Sequence, residues 1–240
     1  FYDARCINMA SSLLKEGFSI SIIHNSLIDN SIPSIFHELQ FYNTKIKKNS
    51  FLFYWKFYSK VKQFLKKNRF DILIAGDLYS LANICNYKKK AYLIYDCREI
   101  YFELSVHNKK PIKKYLSYLY ENYFIKFIDS VLVTAKTDLN LLQKTYIKHK
   151  HIQWYTIYNF PSSIKQNETI NIKNKFGISE NQKLIVYQGA IQYNRGISEL
   201  IEIINNTNLF SAIIIGDGPA LLKYKKIVLE KNLKNKIYFL

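Results

Sequence analysis

Apolar positions along the chain switch repeatedly between two spacings. Residues 3–16 place Ile7, Ala10, Leu13 and Leu14 three or four apart, the period of one helix face, and Gly17 follows as a stop. The next segment, 18–24 (FSISIIH), is short, β-branched and apolar, as a strand is. Strands of the same kind are expected at 70–76 (FDILIAG), 91–96 (AYLIYD), 130–135 (SVLVTA), 183–188 (KLIVYQ), 211–216 (SAIIIG) and 236–240 (KIYFL). Helical spacing fills most of the gaps, near 51–68, 79–86, 111–128, 137–146, 197–206 and 219–231. Strands and helices that alternate in this way predict an α/β fold with parallel sheets.

Between the strand at 130–135 and the one at 183–188 lies WYTIYNFPSSIKQNETINIKNKFGISENQ, a polar stretch with Pro161 in a turn-forming context. A domain boundary is expected there, near 161–170, dividing the chain into domains 1–162 and 163–240. Two Rossmann-like domains facing a cleft is then the expected architecture, with ligands at the carboxyl ends of the strands.

Two strand-to-helix junctions in the second domain carry candidate chemistry. In KLIVYQGAIQYNRGISELIEII the strand ends at Gly189, and Arg195-Gly196 precedes a helix with Ile197, Leu200, Ile201 and Ile204 on one face. A glycine turn at a helix N-terminus offers backbone N–H groups and the positive helix end to an anion, and an arginine adds a planar multi-donor cation suited to phosphate. The alternative is an ordinary loop with a solvated arginine. One unit later AIIIGDGPALLKY ends a strand in Gly216-Asp217-Gly218 and places Pro219 at a first helical position. As a dinucleotide fingerprint the second loop is incomplete, lacking both a third glycine and a spaced acidic residue.

Together these segments resemble the C-terminal domain of the retaining glycosyltransferases of family four, which have the GT-B fold. The first half resembles that family as well: YDARCINMASSLLKEGFSISII is similar to its Asp-x-Arg segment and first helix, and YDCREIYFE to its Asp-x-His-Glu segment. DSVLVTAKTDLNLLQKTY and YNFP are similar to its last strand-helix unit and crossover. The resemblance implies a two-domain GT-B enzyme whose first strand precedes Tyr2 and whose Glu-x7-Glu region follows Leu240, so that both domains are expected to be incomplete in these residues.

Residue by residue, the resemblance implies that Gly189, Arg195, Gly196, Gly216, Asp217 and Gly218 bind the donor's diphosphate and sugar. Asp96, Arg98 and Glu99 would act near the transferred sugar, with Asp3, Arg5 and Asp77 on the acceptor side. Ala190 stands where family members often have Arg, and Arg98 where they have His; a permanent cation cannot serve as a neutral base, so Arg98 is expected to contact phosphate or acceptor. The implied reaction is metal-independent hexosyl transfer with retention, from a nucleotide-sugar to a saccharide or a polyprenyl or other lipid-linked acceptor, in surface polysaccharide or lipopolysaccharide synthesis. No cofactor and no metal are expected, and His24, His37, His107, His149 and His151 show no metal-ligand grouping. For Asp96 and Glu99 the alternative is a surface pair at a strand end.

Charge widens the choice of partner. With 35 Lys and Arg against 18 Asp and Glu, the chain carries a formal +17 and attracts polyanions such as anionic headgroups, nucleic acid or phosphorylated ligands. Residues 45–69 set Tyr54, Phe57, Tyr58, Val61, Phe64 and Leu65 on one helix side and Lys56, Lys60 and Lys67 on another. That suits an anionic membrane surface; the alternative is a helix packing its aromatic face on a sheet. No run reaches the ~18 apolar residues of a membrane span. Cys6, Cys85 and Cys97 have no metal or redox spacing and read as free thiols of a reducing compartment. The expected location is cytoplasmic, peripheral on the inner membrane face. A GT-B-like sugar-nucleotide epimerase and a basic nucleic-acid-binding protein are the competing readings; no nucleic-acid-binding signature supports the latter.

Overall fold

A computed structural model of the chain describes residues 3–25, 40–46, 52–104, 110–160 and 171–240. The expected linker and boundary at 161–170, with Pro161, and residues 47–51 of the basic aromatic segment lie outside the described residues. The chain divides into two compact units, Phe1–Ser163 and Ile164–Leu240.

In the first unit, helix α1 (Ala4–Lys15) begins at Asp3, whose carboxylate accepts the Cys6 amide at 3.0 Å and so satisfies one N-terminal donor. Gly17, at φ 84°, takes the left-handed conformation that ends it. Strands β1 (Ser21–His24) and β2 (Gln40–Asn43) pair in parallel. After α2 (Phe53–Lys67) come β3 (Ile72–Ala75), the short α3 (Leu81–Ile84), β4 (Tyr92–Cys97), α4 (Pro111–Ile125), β5 (Ser130–Val133), α5 (Lys136–Thr145) and β6 (Gln153–Thr156). Strands β3 to β6 form one parallel sheet in sequence order. All four residues of β5 are buried, because helices cover both faces of a parallel sheet and leave no polar side. Its core joins Leu81, Leu93, Tyr95, Ile125, Val131 and Leu142.

The second unit holds α6 (Ile172–Phe176), β7 (Lys183–Gln188), α7 (Ile197–Asn205), β8 (Phe210–Ile215), α8 (Leu221–Glu230) and β9 (Ile237–Phe239), with β7, β8 and β9 side by side and parallel. Ile197, Ile201 and Ile204 turn one face of α7 onto Ala212, Ile214, Tyr224 and Val228. The α/β class and the parallel sheets agree with the sequence pattern.

Three elements escape that pattern. Strands β2 (QFYN) and β6 (QWYT) are four residues long with polar ends, and β6 closes the edge of its sheet with exposed and half-buried residues alternating. Helix α6 is a single turn held by its Asn171 cap and by Gly177 at φ 62°. Pro219 is also displaced: α8 starts at Leu221, so the proline belongs to the turn before the helix and not to its first position.

Helix α2 resolves its two-sided reading in part. Val61 and Leu65 are buried against the unit, while Lys56, Lys60 and Lys67 are exposed. Its outward apolar surface is confined to the N-terminal turn, at Leu52, Tyr54 and Trp55. No helix among the described residues is long and apolar enough to cross a membrane.

Candidate functional site

The first unit gathers its candidate residues at the carboxyl ends of the parallel strands β3 to β6. An open depression of about 520 Å³ is lined there by Asp3, Arg5, Asp77, Arg98 and Glu99, all singled out by the sequence. Gly76, Tyr101, Thr134 and Asn159 line it too, and are not among the residues expected from the sequence. The missing signal was positional: Gly76 and Thr134 each directly follow a strand, β3 and β5, and Asn159 lies just beyond β6.

Asp96 is the last residue but one of β4 and is fully buried beneath this depression. Arg5, in the first turn of α1, donates from Nε to both Asp96 oxygens at 3.0 Å, from Nη2 to Oδ1 at 2.6 Å, and from Nη1 to the Ile157 carbonyl at 2.9 Å. Arg98 donates from Nε to Asp96 Oδ2 at 2.9 Å and pairs through Nη1 with Asp3. Two arginines and two aspartates thus form one continuous chain of charges, tying α1 to β4 and to the segment after β6. Burial works against the Arg98 charge, but its bonds to Asp3 and Asp96 outweigh that and raise its pKa. Gly76 makes room for it, since a Cβ there would stand 3.2 Å from Arg98 Nη2.

This corrects one expectation. Asp96 does not face open space, because both of its oxygens are taken by guanidinium groups. Arg98 lines the depression with its Nε and Nη1 engaged by Asp96 and Asp3. Asp77 is also engaged, accepting the Ser80 amide at 2.7 Å and its hydroxyl as the cap of the 3₁₀ turn Leu78–Ser80. Glu99 is different: it is exposed and its carboxylate has no hydrogen-bond or ion-pair partner among the described residues. Tyr101 beside it has its pKa pushed up, by burial first and then by Asp77 and Glu99. The Cys6 thiol near Asp3 is raised to about 11, chiefly by burial.

In the second unit Gly189, Arg195, Gly196, Gly216, Asp217 and Gly218 fall in the two loops at the carboxyl ends of β7 and β8. The glycines have a packing reason to be there. A Cβ on Gly216 would lie 2.1 Å from the Gly189 carbonyl oxygen, and one on Gly218 2.3 Å from that of Ile191, so the loops press backbone to backbone. Their amides are spent as well: Gly189 donates to Ile215 O at 3.0 Å, Gly216 to Leu240 O at 3.0 Å, and Gly218 to Asp217 Oδ1 at 2.7 Å. The expectation that these glycine amides point at a ligand is therefore not met.

What does stay open is the start of α7. Asn194 and Gly196, at φ 60° and 77°, make a left-handed turn into the helix, and no side chain caps its first amides. Arg195 sits in that turn, exposed, with no partner among the described residues. A helix N-terminus and an unspent guanidinium side by side can hold a doubly charged phosphate group.

No family model matches the chain, and no curated protein matches its sequence. The likeness to known proteins lies in the fold. Sucrose-phosphate synthase from Thermosynechococcus elongatus superposes with a TM-score of 0.72 at 12% identity, over 97% of this chain and 63% of that one. HepE from Anabaena in complex with UDP gives 0.61 at 14% identity, over 100% of this chain and 65% of that one. The lipopolysaccharide outer core galactosyltransferase WaaB, in its apo form, gives 0.55 at 19% identity, over 89% and 56%. The chain thus spans less than two thirds of these proteins, at 63%, 65% and 56% of their lengths, and shares the α/β, parallel-sheet GT-B fold with them.

Proposed function

We propose that the chain belongs to a glycosyltransferase that moves a hexosyl group from a nucleotide diphosphate to a saccharide or lipid-linked acceptor. The observation that carries this reading is the unspent Arg195 beside the uncapped start of α7, at the carboxyl end of β7. Departure of a nucleoside diphosphate builds negative charge on phosphate oxygens, and fixed donors aimed at that charge lower the barrier. The fold agrees: HepE, solved with UDP and with UDP-glucose, and the galactosyltransferase WaaB share it.

The finer reading rests on the resemblance in sequence: transfer with retention, without a metal, in surface polysaccharide or lipopolysaccharide synthesis, at the cytoplasmic membrane face. In the depression of the first unit, Glu99 is the accessible carboxylate that can accept hydrogen bonds from sugar hydroxyls. The Asp3–Arg98–Asp96–Arg5 chain holds its strand end in place.

Thermal-shift screening of the full-length protein against UDP-, GDP- and ADP-sugars tests the proposal. Stabilisation by the sugar nucleotides of one base, lost in Arg195→Ala, is the expected result. Absence of a shift with every donor would overturn it. Anomeric configuration of a transferred product, read by NMR, tests retention separately, and turnover in EDTA tests metal independence.

A further inference from the structure

A row of tyrosine rings leads out of the depression in the first unit. Tyr101 lines its wall, half-buried, on the turn Tyr101–Glu103 that follows β4. Its ring meets that of Tyr79 edge to face at 5.3 Å, and Tyr79 stacks on Tyr54 at 4.9 Å. Tyr79 lies on the turn Leu78–Ser80 after β3 and Tyr54 in the first turn of α2, so three separate elements supply one row. Its supports are fixed: Asp77 caps the turn that carries Tyr79, and Val61 and Leu65 bury one side of α2. Yet Tyr79 and Tyr54 are 39% and 57% exposed, and Trp55 beside them is 67% exposed. Packing alone would hide these faces. Rings held in the open, continuous with a depression, mark a binding surface.

Chemistry selects the occupant. The Tyr101 hydroxyl has its pKa raised by burial first, then by Asp77, Glu99, Tyr79 and Tyr54; that of Tyr79 is raised by burial, then by Tyr54 and Asp77. Both phenols therefore stay protonated, close to each other and to carboxylates. Such a row offers flat apolar faces, hydroxyls that donate and carboxylates that accept. A nucleotide would bring its phosphates against Asp77 and Glu99, which repel them. An acyl chain would leave the hydroxyls and carboxylates it covers without partners. A pyranose has the matching division: C–H groups on one face for the electron-rich rings, and hydroxyls around its edge for the phenols and carboxylates.

We infer that Tyr101, Tyr79 and Tyr54 form a second acceptor subsite, which stacks a sugar unit beyond the one held in the depression. The acceptor is then a saccharide of at least two units, and a single sugar binds poorly. The inference rests on the reading of the depression as the acceptor side of a glycosyltransferase, and uses no residue of the donor loops.

A glycan array and a thermal shift, both with the full-length protein, test it. On immobilised neutral glycans of one to four units, the wild type is expected to be held by at least one glycan of two or more units, at least tenfold more strongly than by its terminal sugar alone. Tyr54→Ala with Tyr79→Ala should weaken that retention at least tenfold, and Tyr54→Ala by itself at least threefold. Tyr54→Phe with Tyr79→Phe should keep the larger share, since the ring faces remain. Circular dichroism, and the thermal shift given by the stabilising sugar nucleotide, should be the same in every variant. Equal retention of the wild type and the alanine variants would overturn the inference. So would retention of the wild type by no glycan, or by single sugars as strongly as by longer ones. Binding to polyprenyl phosphate in detergent micelles that the alanine pair abolishes would overturn it too, by giving the row to a lipid. A missing donor shift with glycan retention intact would strike the transferase reading and leave the saccharide subsite standing.

Discussion

Arg5 and Asp96 stand 91 residues apart in sequence and are joined by three hydrogen bonds, the shortest 2.6 Å, in a place that water scarcely reaches. Breaking a buried pair by removing one member leaves the other charge uncompensated, which costs several kcal/mol. Arg98 would remain on Asp96 after loss of Arg5, which puts the cost of Arg5→Met at the low end of that range, about 3 kcal/mol. Urea denaturation measures it. A loss below ~1 kcal/mol would mean that Asp96 is solvated, and that the charge chain holds nothing together.

Arg195 is expected to behave in the opposite way. Its guanidinium is exposed and unspent, so Arg195→Ala should leave urea stability within about 0.5 kcal/mol of wild type. Donor affinity should fall by about 1.5–3 kcal/mol, the worth of charge-assisted hydrogen bonds to phosphate. Titration calorimetry with the stabilising sugar nucleotide reads the second number. Unchanged affinity would remove Arg195 from the site.

Gly218 separates packing from binding. A Cβ at this position meets the Ile191 carbonyl oxygen at 2.3 Å and its carbon at 2.8 Å, backbone atoms that cannot swing aside. Gly218→Ala should therefore destabilise the second unit by ~1–3 kcal/mol, as overpacking does, with no donor present. A variant as stable as wild type but unable to bind donor would restore the reading of this glycine as a ligand-approach position.

These contrasts show what the sequence could convey. Long apolar periods such as Ile197, Ile201 and Ile204 imply α7 directly, since a buried helix face needs that spacing. The short edge strand β6 conveys almost nothing, because Gln153 and Tyr155 face solvent and break the apolar run. Asp96, Arg98 and Glu99 were found as a cluster, yet their accessibility was not legible. Whether a carboxylate is spent on a neighbour depends on Arg5, which arrives from another element. The glycines are ambiguous for a related reason: a loop pressed against a second loop and a loop pressed against a ligand need the same residue.

Glu99 carries the next expectation. It is the exposed carboxylate of the depression in the first unit, and no described residue depends on it. Glu99→Gln keeps shape and removes charge, so melting should not move. Turnover in a radiolabelled sugar-transfer assay should fall at least tenfold if the carboxylate serves the reacting sugar. Full turnover in the variant would assign Glu99 to the solvated surface.

Glu121 gives a prediction in pH. It projects from α4 into the core, where Tyr95 Oη donates at 2.9 Å and Tyr146 Oη at 2.8 Å, and no cation pairs with it among the described residues. Burial pushes its pKa up, and the phenol and Cys97 thiol bonds only partly pull it back, leaving it raised above 4.5. A carboxyl whose folded pKa is raised binds its proton more tightly in the folded state than in the unfolded one. Its contribution to stability is complete below the unfolded value and is lost as pH rises through the folded one. Glutamine does not titrate, and its amide can accept from one phenol and donate to the other. Glu121→Gln should therefore melt increasingly above wild type as pH rises from about 4 toward 8. A melting difference that is flat with pH, or that narrows, would mean that the tyrosines hold this carboxylate as comfortably ionised as water does. In that case the core side of α4 would impose no acid preference on the unit.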